Sequence, residues 1–144
     1  MRISASDIAA VVAAGLALTL PVTGALARDL PVHDHQGQIT YITGGVGSTE
    51  AAAIEHVAKY FPLELKFMAH GTPWNEHPGS VTVRIKDTAH QRMLLNVKPD
   101  GPYLLAKLPA GNYTISAERN GRVENRDVHV SPNEHQRVVF DWQL

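Results

Sequence analysis

The chain has 144 residues, of which 44% are hydrophobic, 19% charged and 6% aromatic. Its 13 basic and 14 acidic side chains give a formal charge of −1, which offers no electrostatic basis for binding nucleic acid or an anionic membrane. Its 11 glycines and 9 prolines follow no short period, so the composition excludes collagen-like and wholly disordered chains. One compact domain is the expected organisation.

Residues 1–27 have the pattern of a cleaved signal peptide. Their apolar run, Ile8–Leu20, is shorter than the roughly 20 residues that a membrane-spanning helix needs. Arg2 precedes this run, and Ala25–Ala27 supplies the small residues that a signal peptidase recognises, so we expect cleavage after Ala27. The alternative is an uncleaved anchor or a buried core helix. Cleavage predicts a periplasmic or secreted protein with no membrane insertion.

Cysteine is absent from the sequence. In an exported protein this absence excludes a disulfide framework, a thiol nucleophile and thiolate metal ligands. We therefore expect the core alone to hold the mature domain together.

Residues 28–62 divide into an arm, a short strand and a helix. Residues 28–38 are polar and show no periodicity, which predicts a flexible arm. A β-rich run, Ile39–Thr43, precedes the glycine-rich loop Gly44–Gly47, and Ser48 or Thr49 can cap a helix that follows. Four residues of this helix recur at the spacing of one buried stripe: Ile54, Val57, Ala58 and Phe61.

From residue 63 onward the hydrophobic period changes from 3.6 to 2. In the first run Leu63, Leu65 and Phe67 alternate with Glu64 and Lys66, which predicts a strand with one buried and one wet face. Further strands are predicted at 81–86, 92–97, 103–108, 113–119, 122–130 and 136–142. Turn signals separate them, and Asn120-Gly121 is the strongest because it suits a two-residue hairpin.

This spacing predicts a mainly β fold, an antiparallel β-sandwich of about seven strands with one N-terminal α-helix. The sandwich would span residues 63–144, and residues 39–144 would form one compact unit.

The segment Asp100–Ile115 (DGPYLLAKLPAGNYTI) resembles the carboxypeptidase regulatory-like domain, a transthyretin-like (prealbumin-like) β-sandwich. The resemblance extends over roughly residues 63–142. It implies two strands joined by a tight turn. The residues themselves are consistent with this, since Leu108 and Tyr113 can face the core. The resemblance also implies an accessory, interaction or structural module and leaves the specific function open, because this fold supports many functions.

Histidines are numerous, and several lie in predicted loops. His33 and His35 flank Asp34, a spacing that places both imidazoles on one side of an extended chain and suits Zn²⁺ or Cu²⁺. His70 or His77 could add a third ligand. The alternative is that these histidines are solvated loop residues without a metal.

Two other features could bind a partner or ligand. The glycines Gly44, Gly45 and Gly47 lead into the helix at Ser48, where backbone N–H groups favour a carboxylate or phosphate; alternatively, the glycines only permit a tight turn. Trp74 lies in a Pro/Gly-rich loop, where it could stack on a sugar or anchor a partner protein, or could plug the end of the sandwich.

Three functions follow from these patterns. The leading hypothesis is an exported, non-catalytic accessory or binding module of the cell envelope. Its partner would be a protein or envelope component, contacted through Gly44–Gly47 and the loop at residues 70–79 or through an edge strand. The alternatives are a periplasmic copper- or zinc-binding protein, with no other cofactor implied, and a small periplasmic hydrolase with histidine bases. The sequence leaves the oligomeric state open.

Overall fold

The computed structural model describes residues 34–70, 72–73 and 80–143. The strands are β1 (Asp34–Gln36), β2 (Ile39–Gly44), β3 (Leu63–Ala69), β4 (Thr72–Pro73), β5 (Val81–Asp87), β6 (Arg92–Val97), β7 (Tyr103–Lys107), β8 (Gly111–Arg119), β9 (Arg122–Val130) and β10 (Gln136–Trp142). The helix is α1 (Ser48–Ala58). Among these residues no helix is long and apolar enough to cross a bilayer. The predicted signal peptide lies outside the described residues.

The strands form two sheets. Sheet A has the order β1-β2-β7-β3-β10, with β4 added to the end of β3, and sheet B has the order β6-β5-β8-β9. Their facing sides interdigitate as the alternation predicted, because one side of each strand is apolar. This core contains Leu65, Phe67, Ile85, Leu95, Ile115 and Phe140, among others. The predicted fold class, mainly β with two sheets and one helix, is confirmed.

Helix α1 packs on the outer side of sheet A. Ile54, Ala58 and Phe61 are buried there against Ile42 and Leu105, which point away from sheet B. The predicted buried stripe is therefore confirmed at three of its four positions, and Val57 is partly buried. Because α1 covers this side, the middle of sheet A is buried on both faces.

The predicted helix start needs a correction. Gly47, with φ 85°, is the N-cap, and no side chain caps the helix by a hydrogen bond. Ser48 is already the first helical residue. Glu50 lies in the first turn, where a carboxylate interacts favourably with the positive end of the helix dipole.

One pair of strands departs from the predicted antiparallel arrangement. β10 runs parallel to β3, with Arg137 opposite Glu64 and Phe140 opposite Phe67. The chain reaches β10 from β9, which belongs to the other sheet. Such a crossover between sheets allows a strand to run parallel to an earlier strand. A hairpin only joins antiparallel strands.

The count of about seven strands is also too low, since the described part of the chain contains ten. Two of the strands that were not predicted are β1 and β4. Both are too short to show an alternation of apolar and polar residues. β1 corrects the prediction of a flexible arm for residues 34–36. Gln36 explains why this segment is fixed: its side-chain amide donates to the backbone carbonyl of Asn96 on β6 (3.2 Å) and accepts from the Asn96 N–H.

The predicted hairpin turn at Asn120-Gly121 is confirmed. Both residues have positive φ, 49° and 75°, as a two-residue turn between β8 and β9 requires. The predicted burial of Leu108 and Tyr113 is confirmed as well.

Candidate functional site

The sandwich has two ends, and the predicted site residues divide between them. We call one the glycine-loop end, where β2 ends at Gly44 and β7 begins at Tyr103. We call the other the cleft end, where β3 and β10 begin at Leu63 and Gln136.

The two predicted histidine ligands among the described residues lie at opposite ends of the sandwich. His35 opposes Thr40 at the cleft end, and its Nδ1 lies 3.1 Å from the Thr40 hydroxyl. His70 follows β3 at the glycine-loop end. Strands rise about 3.3 Å per residue, so roughly 25 Å separates the two along sheet A, and they cannot share an ion.

The other two predicted ligands, His33 and His77, lie outside the described residues, as does Trp74. Among the described residues no group of three or more His, Asp or Glu side chains is placed to hold a metal ion.

The glycine-rich loop packs tightly instead of offering an open anion site. Gly45 has φ 96°, and a Cβ there would collide with the ring of Tyr103. The carboxylate of Glu50 lies over Gly44, in the space that a side chain would need. An anion approaching this loop would meet that negative charge. The structure therefore favours the alternative in which Gly44, Gly45 and Gly47 permit a tight turn and close packing, with Ser48 exposed at the helix start.

The cleft end carries an open cleft of about 480 Å³, which we call the end cleft. Three connections form its walls: the α1–β3 turn, the β7–β8 turn and the β9–β10 loop. The lining residues are Lys59, Tyr60, Phe61, Pro62, Leu108, Ala110, Ser131, Pro132, Asn133, Glu134 and His135.

Hydrogen bonds fix two of these walls. The N–H groups of Tyr60 and Phe61 donate to the carbonyls of Val57 and Ala58 (3.0 and 2.9 Å), which closes the last helical turn. Tyr113 donates from its hydroxyl to the Pro109 carbonyl at 2.5 Å and holds the β7–β8 turn. Burial raises the pKa of the Tyr113 hydroxyl, and the nearby Asp87 raises it further.

The third wall is tied to the first through His135 and Gln136. The N–H of Gln136 donates to the Pro62 carbonyl at 2.9 Å. His135 donates from Nδ1 to the Phe61 carbonyl at 2.8 Å, because a carbonyl can only accept. The β9–β10 loop is thereby fastened to the end of the helix.

Behind His135 lies a buried carboxylate, Glu64. Its side chain is 0% exposed, and its Oε2 lies 2.9 Å from His135 Nε2. Its Oε1 lies 3.0 Å from Arg137 Nε. That N–H is not aligned with Oε1, which accepts no hydrogen bond from the described residues. The Arg137 contact is therefore an interaction of charges. We call Glu64, His135 and Arg137 the polar cluster.

The polar cluster corrects a prediction. Alternation predicts that Glu64 lies on the solvent-exposed face of β3. That face is the outer side of sheet A, where α1 packs, and it is covered at Glu64. Glu64 pairs with Leu105 of β7 on one side and with Arg137 of β10 on the other. The apolar run at residues 103–106 was the available signal, since a strand that is apolar at every position is buried on both faces.

Tyr103 extends the polar network toward the helix. Its hydroxyl donates to Glu55 Oε1 of α1 at 2.5 Å. Burial raises the pKa of the Tyr103 hydroxyl well above its ordinary range, and the hydrogen bond to Glu55 and the charge of Glu64 add to the shift. Lys66 Nζ lies 5.4 Å from the centre of the Tyr103 ring.

Comparisons with known proteins add no family. No family model matches the chain, and no curated protein matches its sequence. A solved structure, the Bacillus anthracis TIE protein, is similar over 57% of this chain and 16% of that one, with 13% identity and a TM-score of 0.37. This similarity is too distant to support an argument about function. The resemblance to the carboxypeptidase regulatory-like domain stays a prediction.

Proposed function

We propose that this chain is an exported, non-catalytic binding or accessory module of the cell envelope, and that a protein partner binds in the end cleft. The observation that supports the proposal is Tyr60. Its side chain lines the cleft and is 66% exposed, so its ring is accessible to a partner. Tyrosine is enriched among the residues that dominate binding energy at protein interfaces.

The fixed walls of the cleft also support a binding role. Each of the three connections is tied by hydrogen bonds, through Tyr113, through Gln136 and through His135. A partner would not have to order these loops, and a preorganised site loses less entropy when it binds. Loops carried on a rigid sandwich are a common location for binding residues.

The cleft is a better candidate for this role than β9, one of the edge strands. β9, an edge of sheet B, carries alternating charges, including the ion pair between Arg126 and Glu124 at 3.1 Å. Charges of this kind oppose pairing with a further strand. Arg126 also lies over the ring of Phe140 at 5.2 Å and covers the seam between the sheets on that side.

Site-specific photo-crosslinking in the producing cell tests this proposal. A photoreactive phenylalanine derivative is placed at position 60 and, as a matched control, at position 123. Val123 is a suitable control because it is 51% exposed and belongs to β9 of the other sheet. We expect a discrete protein adduct from position 60 that is absent from position 123. Identical adduct patterns, or no adduct from position 60, would overturn the proposal.

A further inference from the structure

We infer that two copies of this chain associate through the edge strand β10, as antiparallel neighbours in one continuous sheet with Val139 of each copy at the centre. The inference goes beyond the proposed function and does not depend on it, because the lining of the end cleft stops at His135, before β10 begins. It follows from the position of β10, from the direction of its peptide groups and from the order of its charges.

β10 forms one edge of sheet A. Among the described strands, β3 is the one that pairs with β10, and it does so along all 7 residues of β10. At the opposite edge of the sheet, β1 has only 3 residues. A long edge strand presents a row of N–H and C=O groups to which a further strand can bind. β10 is therefore the edge of sheet A at which a second copy could extend the sheet.

Two hydrogen bonds show which peptide groups of β10 point away from β3. The N–H of Gln136 donates to the Pro62 carbonyl at 2.9 Å, and the N–H of His70 donates to the Trp142 carbonyl at 3.3 Å. Pro62 and His70 directly precede and follow β3, so Gln136 and Trp142 point their peptide groups toward β3. In a parallel pair every second residue between them does the same. The intervening residues point theirs to the other side of β10: Arg137, Val139 and Asp141.

The charges in this row are complementary to those of an antiparallel second copy. With Val139 opposite Val139 of the second copy, Arg137 lies opposite Asp141 of that copy, and Asp141 lies opposite its Arg137. The two valines then exchange both of their peptide hydrogen bonds. Opposite charges in cross-strand pairs stabilise a sheet, and like charges directly opposite destabilise it. A shift of the register by two residues loses both charge pairs, so the charges favour this register.

The side chains of the row can reach a second copy. Val139 is 40% exposed, and the side chain of Arg137 is 51% exposed, although its Nε lies 3.0 Å from Glu64 Oε1. A guanidinium has further N–H donors beside Nε. Asp141 is partly buried and interacts within its own copy, but the two oxygens of a carboxylate can accept several donors. Both charged groups can therefore keep their contacts and also pair with the second copy.

The spacing of these charges selects a second copy as the partner. In β9, Glu124 and Arg126 are two residues apart and form an ion pair within the strand at 3.1 Å. Arg137 and Asp141 are four residues apart, which is roughly 13 Å along a strand, so they can form an ion pair with each other only between two copies. A partner strand with charges of one sign would meet one of them with a like charge, whereas a second copy complements both.

Sedimentation equilibrium of the purified protein over a concentration series tests the inference. We expect the average mass to rise toward that of two copies as the concentration approaches about 0.5 mM, since one pair of strands is a small interface. Val139→Lys should weaken the dimer at least about tenfold, because it places two ammonium groups opposite each other. Met93→Lys is the matched control, since Met93 is 43% exposed and belongs to β6, an edge strand of sheet B. A protein that stays monomeric throughout the series, or an equal loss in both variants, would overturn the inference.

Charge reversal tests the register. Asp141→Arg and Arg137→Asp each place like charges opposite each other twice, so each variant alone should dimerise at least about tenfold more weakly. An equimolar mixture of the two restores both pairs of opposite charge and should regain the dimer. Both proteins also carry Glu64→Met, so that Arg137→Asp does not place a second carboxylate beside a buried one. A mixture that dimerises no better than its components contradicts the register.

Disulfide trapping provides an independent measurement that needs no charge reversal. The sequence contains no cysteine, so Val139→Cys introduces a single thiol. In the inferred register the two Cα atoms would lie about 5.5 Å apart, within the range that a disulfide spans. We expect a covalent dimer from Val139→Cys under mild oxidation and much less from the control Met93→Cys. Equal yields from the two variants would exclude the inferred interface.

Discussion

Removing His135 should destabilise the protein more than removing the buried carboxylate that it contacts. In His135→Ala, Glu64 remains fully buried but loses the hydrogen bond to Oε2, and only the unaligned Arg137 contact at 3.0 Å remains. Removing one partner of a buried carboxylate costs about 3 to 5 kcal/mol, and the remaining charge of Arg137 keeps the cost at the lower end of this range. His135 is 31% exposed, so water can enter its place and reduce this cost; we expect a loss of about 3 kcal/mol in the free energy of unfolding.

Glu64→Met should be far milder. Methionine has a similar length and needs no partner, and the side chains of His135 and Arg137 left behind are 31% and 51% exposed, so water can solvate both. No buried charge is therefore left without a partner, and such a charge is the main cost of breaking a buried pair. We therefore expect a change within about 1 kcal/mol. In the Glu64→Met background, His135→Ala should cost only about 1 kcal/mol, for the lost hydrogen bond to the Phe61 carbonyl.

Urea unfolding of the four proteins, followed by far-UV circular dichroism, measures these differences. His56→Ala is the control, because His56 is an exposed histidine of α1, and it should change stability by less than about 0.5 kcal/mol. The reasoning is refuted if Glu64→Met is the more destabilising single variant. It is refuted equally if His135→Ala costs the same in both backgrounds, since the two residues would then be uncoupled.

Three further predictions concern the rest of the fold. Gly45→Ala should lower the melting temperature much more than Gly37→Ala, because both glycines have positive φ but only the Cβ at 45 meets the Tyr103 ring. Because burial raises the pKa of Tyr103, stability is full below about pH 10 and falls as pH rises beyond it; Tyr103→Phe should flatten this alkaline limb in pH-dependent unfolding. The hydrogen bond from His90 lowers the pKa of Asp87, so its contribution is present above about pH 4 and is lost as pH falls further; Asp87→Asn should flatten the acid limb.

The strands could be predicted because their signals are local. Alternation gave β6 (Arg92–Val97), β9 (Arg122–Val130) and β10 (Gln136–Trp142) with the bounds that the structure has. The signals for their ends are equally local, as Asn120-Gly121 shows. Pairing direction is different, because β3 and β10 are far apart in sequence and alternation is the same for parallel and antiparallel neighbours.

The candidate site could not be predicted for a related reason. Each strand residue points to one of two faces, but the sequence of β3 does not say which faces are covered. Coverage of Glu64 depends on α1 lying across sheet A and on the β9–β10 loop bringing His135 to it. The sequence of β3 alone therefore predicts that Glu64 is exposed to solvent, and Glu64 is buried only in the assembled sandwich.

The polar cluster also connects the stability of the fold with the shape of the end cleft. His135 contacts Glu64 through one ring nitrogen and the Phe61 carbonyl through the other, so a single imidazole fixes both the buried carboxylate and a cleft wall. These roles separate in the variants above: Glu64→Met preserves stability and the Phe61 bond but frees one side of the ring. Any loss of the adduct from position 60 in that variant would come from a less ordered wall, because Glu64 itself is not among the residues that line the cleft.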